Sequence, residues 1–343
     1  MMRHSSIADR FVPFLSNLIV IGVSLLFLQY NPYYHSAFQP ETQITLLVLT
    51  VLYALGGTVY YSLVPMSRIR VTKGYQILVL LRRLFHRWYS SRGDVSHSSP
   101  AVMTKEEKLA VLFYGVKLFF LPLMINFVFM NWGIMINQIG LFKDEGLTYS
   151  LRSFNDIVFP FLLAGILLVD TFYFGFGYLF EASSLDNTVR SVEPTLIGWL
   201  VTLACYPPLN GMVTQLIGWH ANENIAVSSE MYTCILHVLI LICFAVYLSA
   251  TIALGAKCSN LTNRGTVSRG PYAYVRHPAY VAKNVGWWIS FVPVMNMFGF
   301  LSMLAWSGVY YARVITEERH LLQDPDYQAY AEHVRYRFIP GLW

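Results

Sequence analysis

The chain has 343 residues, 55% hydrophobic and 16% aromatic but only 13% charged, with a formal net charge of +5. Soluble domains carry about 25% charged residues, so this deficit excludes a disordered chain and an ordinary water-soluble enzyme. The charges are also bunched: residues 11–40, 42–67, 195–222, 231–256 and 284–312 hold no Asp, Glu, Lys or Arg. Each window is long enough to cross a hydrocarbon layer of roughly 30 Å, which takes about 20 helical residues.

In chain order, the windows at 11–40 and 42–67 predict two spanning helices. The first is not read as a cleaved signal peptide, because it is long and lacks a small-residue cleavage site. Nine basic residues follow in 65–108, around the amphipathic stretch 75–88 (YQILVLLRRLFHRW). Apolar side chains beside Arg82, Arg83 and Arg87 suit a helix lying on an anionic leaflet. The Ser-rich segment 90–100 reads as a flexible linker. Two further spans carry one ionisable residue each, 109–131 with Lys117 and 157–180 with Asp170. A carboxylate in mid-span is costly and points to function or pairing. Asp170 is thus a candidate for lining a substrate cavity, with Lys117 or a hydroxyl as the alternative partner.

The segment 181–210 supplies a second polar cluster, with Asp186, Asn187, Arg190 and Glu193. Asn187 and Arg190 are candidates for acceptor recognition. Pro207-Pro208 interrupts the span at 195–222, where a broken helix opens room for a cavity. The span at 231–256 brings the number of simple spans to six. The last apolar stretch, 284–312, is interrupted near 292–296, where Pro293 and Asn296 are breakers for a helical hairpin. With the N-terminus in the cytosol and alternating spans, 21 of the 24 basic residues fall on the cytosolic side, as the positive-inside rule asks. A hairpin keeps the basic tail Arg335–Arg337 on that side as well. The expected fold is therefore all-α: a polytopic integral membrane protein with six transmembrane helices plus a C-terminal helical hairpin, both termini cytosolic. Three parts are expected: a two-span unit at 1–108, three spans at 109–230, and a catalytic core at 231–343.

No C-x-x-C pair links Cys205, Cys234, Cys243 and Cys258, and the histidines lack ligand spacing, so neither a metal site nor a disulfide framework is expected. The basic excess reads as topology rather than nucleic-acid binding. Partners are expected to be membrane lipids and a lipid-like or amphiphilic substrate; the oligomeric state is left open.

The chemistry gathers in two motifs that the hairpin brings face to face. One is Gly270-Pro271-Tyr272 continuing to Arg276-His277-Pro278-Ala279-Tyr280; the other is Glu317-Glu318-Arg319-His320-Leu321. Pro278 biases His277 away from helical geometry, so the first motif is expected to be extended. Together with Asn296 at the bend and Tyr327–Tyr330 leading to Ile339-Pro340, these motifs resemble the isoprenylcysteine carboxyl methyltransferase family, which is related to membrane phospholipid N-methyltransferases. The resemblance covers residues 231–343. It implies an S-adenosyl-L-methionine-dependent methyltransferase acting on a lipid-like acceptor (carboxyl, phosphate or amine) at the cytosolic membrane face. It further implies cofactor binding by Gly270, Tyr272, His277, Tyr280, Glu317 and Glu318, with Arg276, Glu318, His333 and Arg335 near the reacting groups and Asn296 at the acceptor side. His333 stands where the family has an Arg, and Asn296-Met297 where it commonly has Asn-Pro. A membrane NADPH-dependent reductase of the sterol-reductase type is the alternative enzyme; Ala279 and Lys283-Asn284 depart from that pattern. A non-enzymatic scaffold or transporter with a degenerate fold is the remaining alternative.

Overall fold

The computed structural model describes residues 7–90, 103–145, 149–218, 227 and 229–341. Helices α1 (Ile7–Tyr30), α2 (Pro32–Ala37), α3 (Pro40–Leu63), α4 (Lys73–Ser90) and α5 (Lys105–Glu145) come first. Then follow α6 (Leu151–Ser153), a π-helical turn at Phe154–Val158, α7 (Phe159–Leu179), the two-residue strand β1 (Ser191–Val192), α8 (Leu196–Leu203) and α9 (Leu209–Ile217). The rest comprises α10 (Glu230–Leu254), β2 (Thr262–Asn263), α11 (Pro278–Phe291), α12 (Met297–Leu321) and α13 (Pro325–His333). The chain divides into two compact units, Met1–Asn126 and Phe127–Trp343, the division falling within α5.

Among the described residues, five helices are long and apolar enough to cross a membrane: Arg10–Tyr30, Pro40–Leu63, Lys105–Asp144, Leu151–Leu179 and Glu230–Lys257. They coincide with five of the six expected spans. The sixth, 195–222, is not a continuous helix: Tyr206-Pro207-Pro208 separates the eight residues of α8 from the nine of α9, since proline supplies no N–H to continue the ladder. Helix α5 is longer than expected, its 41 residues running through Pro122 and on past Asn131 to Glu145. The expected linker at 90–100 lies outside the described residues, apart from Ser90.

In the first unit, α4 carries the amphipathic stretch. Its start is fastened to α1, where Thr72 donates to the Pro13 carbonyl at 2.8 Å and the Gly74 amide donates to Asn17 Oδ1 at 2.9 Å. Its middle is fastened to the first turn of α5 by an Arg83–Glu107 ion pair of 2.5 Å. Thr104 and Glu107 exchange backbone and side-chain bonds across that turn, a capping box.

In the second unit, α7, α10 and α11 share an apolar core of Phe159, Leu163, Leu236, Ile240, Phe244, Tyr247 and Ala282. Gly177 lets α7 approach the loop after α10: a Cβ there would lie 2.1 Å from the Cys258 carbonyl oxygen. Helices α11 and α12 form the expected hairpin. Asn296 caps α12, its Oδ1 accepting from the Gly299 amide at 2.9 Å, and Ser307 joins the two helices by accepting from Asn284 and Trp288. Strands β1 and β2 pair antiparallel, Ser191 opposite Asn263, and tie the segment before α8 to the loop after α10.

Candidate functional site

His277 precedes Pro278 at the start of α11 with φ −129° and ψ 53°, a non-helical geometry imposed by the proline ring. The motif is not extended as expected: Gly270–Ala273 forms a 3-10 turn with Tyr274 in the helical region after it. The residues that follow are held by the C-terminal tail: the Arg276 amide donates to the Tyr336 carbonyl at 2.9 Å and the His277 amide to the Arg337 carbonyl at 3.0 Å. Gly270 sits at φ +61°, where a Cβ would come within 3.1 Å of the Ala253 methyl, so glycine suits both the left-handed backbone and the close approach.

The hairpin returns α12 to this segment, and four consecutive residues of its last turns reach four different places. Glu317 accepts from the Tyr280 hydroxyl on α11. Glu318, 3% exposed, lies 2.6 Å from Arg276 through one oxygen, 2.6 Å from Arg337 through the other, and 3.7 Å from His277. Arg319 pairs with Glu193 at 3.1 Å and donates to Thr195. His320 shares a 2.8 Å hydrogen bond with the Ser191 hydroxyl on β1. Burial alone would raise the Glu318 carboxyl, but His277, Arg276 and Arg337 outweigh it and hold it below its ordinary value. Burial pushes His320 below its ordinary value, in favour of the neutral ring.

Between these elements lies a cleft open to solvent. Tyr272, Arg276, His277, Tyr280 and Glu317 line one side, and Ser259, Thr262, Asn263 and Arg264 of the loop after α10 line another. Tyr327 and Tyr330 of α13 close it, packed with Val334 against Tyr272 and Leu321. A smaller adjoining cavity shares Thr262, Glu317 and Leu321 and is lined further by Glu193, Thr316, His320 and Arg313. Arg313 is 8% exposed. Its guanidinium lies 5.2 Å from the Tyr280 ring centroid and 5.5 Å from that of Tyr206, and it donates to Asn260.

The structure thus brings Tyr272, Arg276, His277, Tyr280, Glu317 and Glu318 together, with Gly270 shaping the turn. Within that group Glu317 faces the cleft, whereas the Glu318 charge is taken up by two arginines. His333 and Arg335 are exposed and do not line the cleft. Asn296 serves as the helix cap at the far end of the hairpin. Asn187 is fully buried, its amide donating to the Phe180 and Ala256 carbonyls and accepting from the Ala182 amide. Arg190 bridges Asp324 at 2.9 Å and Asp326 at 2.5 Å. Asp170 accepts from the Tyr247 and Thr251 hydroxyls at 2.8 and 2.6 Å, so its partners are hydroxyls. Among the described residues no group of His, Cys, Asp and Glu is placed to hold a metal ion.

Sequence reasoning missed Arg313, Arg264, Asn263 and Asp324. Arg313 had a signal: it ends the uncharged stretch one helical turn before Glu317, which places both on one face. Asp324 had none, because its role arises only when Arg190 and Asn263 converge on its Oδ2 at 2.9 and 2.8 Å. These two donors outweigh burial and hold its carboxyl below the ordinary value.

No curated protein and no solved structure matches the chain. Residues 231–323 match the sequence model of the Isoprenylcysteine carboxyl methyltransferase (ICMT) family, a stretch that takes in α10, the loop lining the cleft, the hairpin and the Glu317-Glu318 turn. Over that stretch, and not over the rest of the chain, the sequence is similar to this family, as its motifs imply.

Proposed function

We propose that the protein is an integral-membrane, S-adenosyl-L-methionine-dependent methyltransferase that works at the cytosolic membrane face on a lipid-like acceptor. The observation that carries this reading is the cleft in which the Tyr280–Glu317 pair, Tyr272 and His277 converge. Methyltransferases of the matched family generally use this cofactor. The cofactor is a polar cation bearing an amino acid end, and the residues present suit it. Tyr272 and Tyr280 offer aromatic faces, worth about 0.5–2 kcal/mol to a cation. Glu317 offers a carboxylate that already accepts a hydroxyl, and Asn263, Ser259 and Thr262 offer hydrogen-bonding groups.

When bound, the cofactor supplies an electrophilic methyl group. The protein's task is alignment, because an in-line displacement gains most from fixed geometry. Arg313 is a buried cation with an amide and two aromatic rings as its neighbours, suited to orienting an anionic acceptor beside the cleft. A carboxylate or phosphate acceptor needs no general base at neutral pH. For an amine acceptor, His320, held in its neutral form, is available to take the proton. A lipid-like acceptor fits the surface around the hairpin, where Val292, Met297, Phe298, Leu301 and Leu304 are exposed. The cytosolic side rests on the distribution of Lys and Arg.

Calorimetry on the purified full-length protein tests the reading. S-adenosylmethionine is expected to bind at micromolar concentration, and Glu317→Gln to weaken it about tenfold. Binding of NADPH in its place overturns the reading in favour of a reductase. Lipid mass spectrometry identifies the acceptor as a species that gains one methyl group and disappears on deletion of the gene.

A further inference from the structure

The first unit lies wholly outside the family-matched residues and carries a surface that the methyltransferase reading does not use. On α4, Leu81, Phe85 and Trp88 are 53%, 64% and 52% exposed. With Leu84, also exposed, they follow the i, i+3, i+4, i+7 spacing that puts them on one helix face. Arg82, Arg83, His86 and Arg87 occupy the opposite face. The helix is not among the candidate spans, since its arginines oppose insertion across the hydrocarbon. Its depth is nonetheless set. It leaves the first half of α1 at Pro13 and Asn17, and Arg83 is held at the first turn of α5 by Glu107. The half of α4 beyond Arg83 therefore runs at the level where α5 begins, with apolar side chains on one flank and cations on the other.

We propose that the part of α4 from Leu81 to Ser90 is a docking surface for an anionic lipid bilayer, lying in the headgroup region with Leu81, Leu84, Phe85 and Trp88 towards the acyl chains. The occupant follows from charge. Between Glu41 and Asp94 the chain has no acidic residue, while Arg68, Arg70, Lys73, Arg82, Arg83 and Arg87 are all basic. An anionic leaflet attracts such residues, and the apolar flank adds the burial that an interfacial helix needs. A neutral leaflet would satisfy the apolar flank alone.

The test is hydrogen exchange on the full-length protein in nanodiscs of phosphatidylcholine alone, and in nanodiscs with roughly a third phosphatidylglycerol. Amides of residues 81–90 are expected to exchange at least about threefold more slowly in the anionic discs, with the difference shrinking at high salt. The Arg82→Gln/Arg87→Gln pair loses that difference, and the Arg82→Lys/Arg87→Lys pair keeps it. Equal exchange in both lipids overturns the proposal, as does a slowing that survives the glutamine pair. S-adenosylmethionine binding, measured in parallel, reports on the separate methyltransferase site.

Discussion

Arg276 and Glu318 lie 2.6 Å apart, the arginine side chain 11% and the carboxylate 3% exposed, with Arg337 2.6 Å from the second oxygen. This pair joins the segment before α11 to the end of α12 and to the tail, and so fixes one wall of the cleft. It also separates the duties of two adjacent glutamates: Glu318 holds the wall together, and Glu317 faces what the wall encloses.

Glu318→Gln is expected to destabilise the protein by about 3 kcal/mol, because it leaves two cations without their buried counter-charge. Thermal unfolding in detergent measures this. A melting temperature unchanged from wild type would show that the pair does not hold the wall.

Tyr280→Phe and Glu317→Gln are expected to weaken S-adenosylmethionine binding by about 1–2 kcal/mol each while shifting the melting temperature by only a few degrees. Because the two side chains share a hydrogen bond, their effects are expected to be less than additive in a double-mutant cycle. Full additivity would argue against their acting as one unit.

Stability is expected to fall with acidification in two stages. The folded state depresses His320, so below pH about 6.5 the unfolded chain takes up the proton first. The contribution of the neutral ring, complete at higher pH, is lost as pH falls from that value. Glu318 and Asp324 are also depressed, so their contributions persist above pH about 4.5 and are lost as pH drops through their folded values. His320→Asn is expected to remove the upper stage and Asp324→Asn to reduce the lower one. Melting temperatures recorded from pH 8 to pH 3 separate the stages, and identical profiles for wild type and variants would refute the assignment.

Gly177→Ala is expected to cost more than Gly270→Ala. The first places a methyl 2.1 Å from a backbone carbonyl that cannot swing away, whereas the second meets a neighbouring methyl at 3.1 Å together with a positive φ. The positive φ costs about 1–2 kcal/mol. Comparative unfolding of the two variants decides the order.

Much of this architecture was legible from charge and apolar runs alone. Five spans, the hairpin with its break near Asn296, and the meeting of Arg276 with Glu318 follow from hydropathy and from the turn chemistry of Pro293 and Asn296; that Asn296 caps α12 rather than meeting the acceptor came only with the fold. The broken helix at Pro207-Pro208 was visible as an interruption, yet it still counted as a span because composition measures apolarity rather than continuity. Asn187 and Arg190 looked available to a ligand because a linear sequence does not show who pairs with whom. In the fold, the Asn187 amide satisfies backbone groups on both sides of its loop, and Arg190 clamps the start of α13 through Asp324 and Asp326. Arg313 escaped notice because a single arginine at the end of an apolar stretch ordinarily marks a membrane boundary.

The fan of contacts from residues 317–320 makes the length of α12 a constraint in its own right. Each residue turns a helix by about 100°, so one residue inserted or deleted between the Asn296 cap and Glu317 would rotate all four side chains together. Glu317 would leave Tyr280, Glu318 would leave its two arginines, and Arg319 and His320 would lose Glu193 and Ser191 in the same step. Point substitutions across the middle of α12 should therefore be far better tolerated than any change in the number of residues it contains.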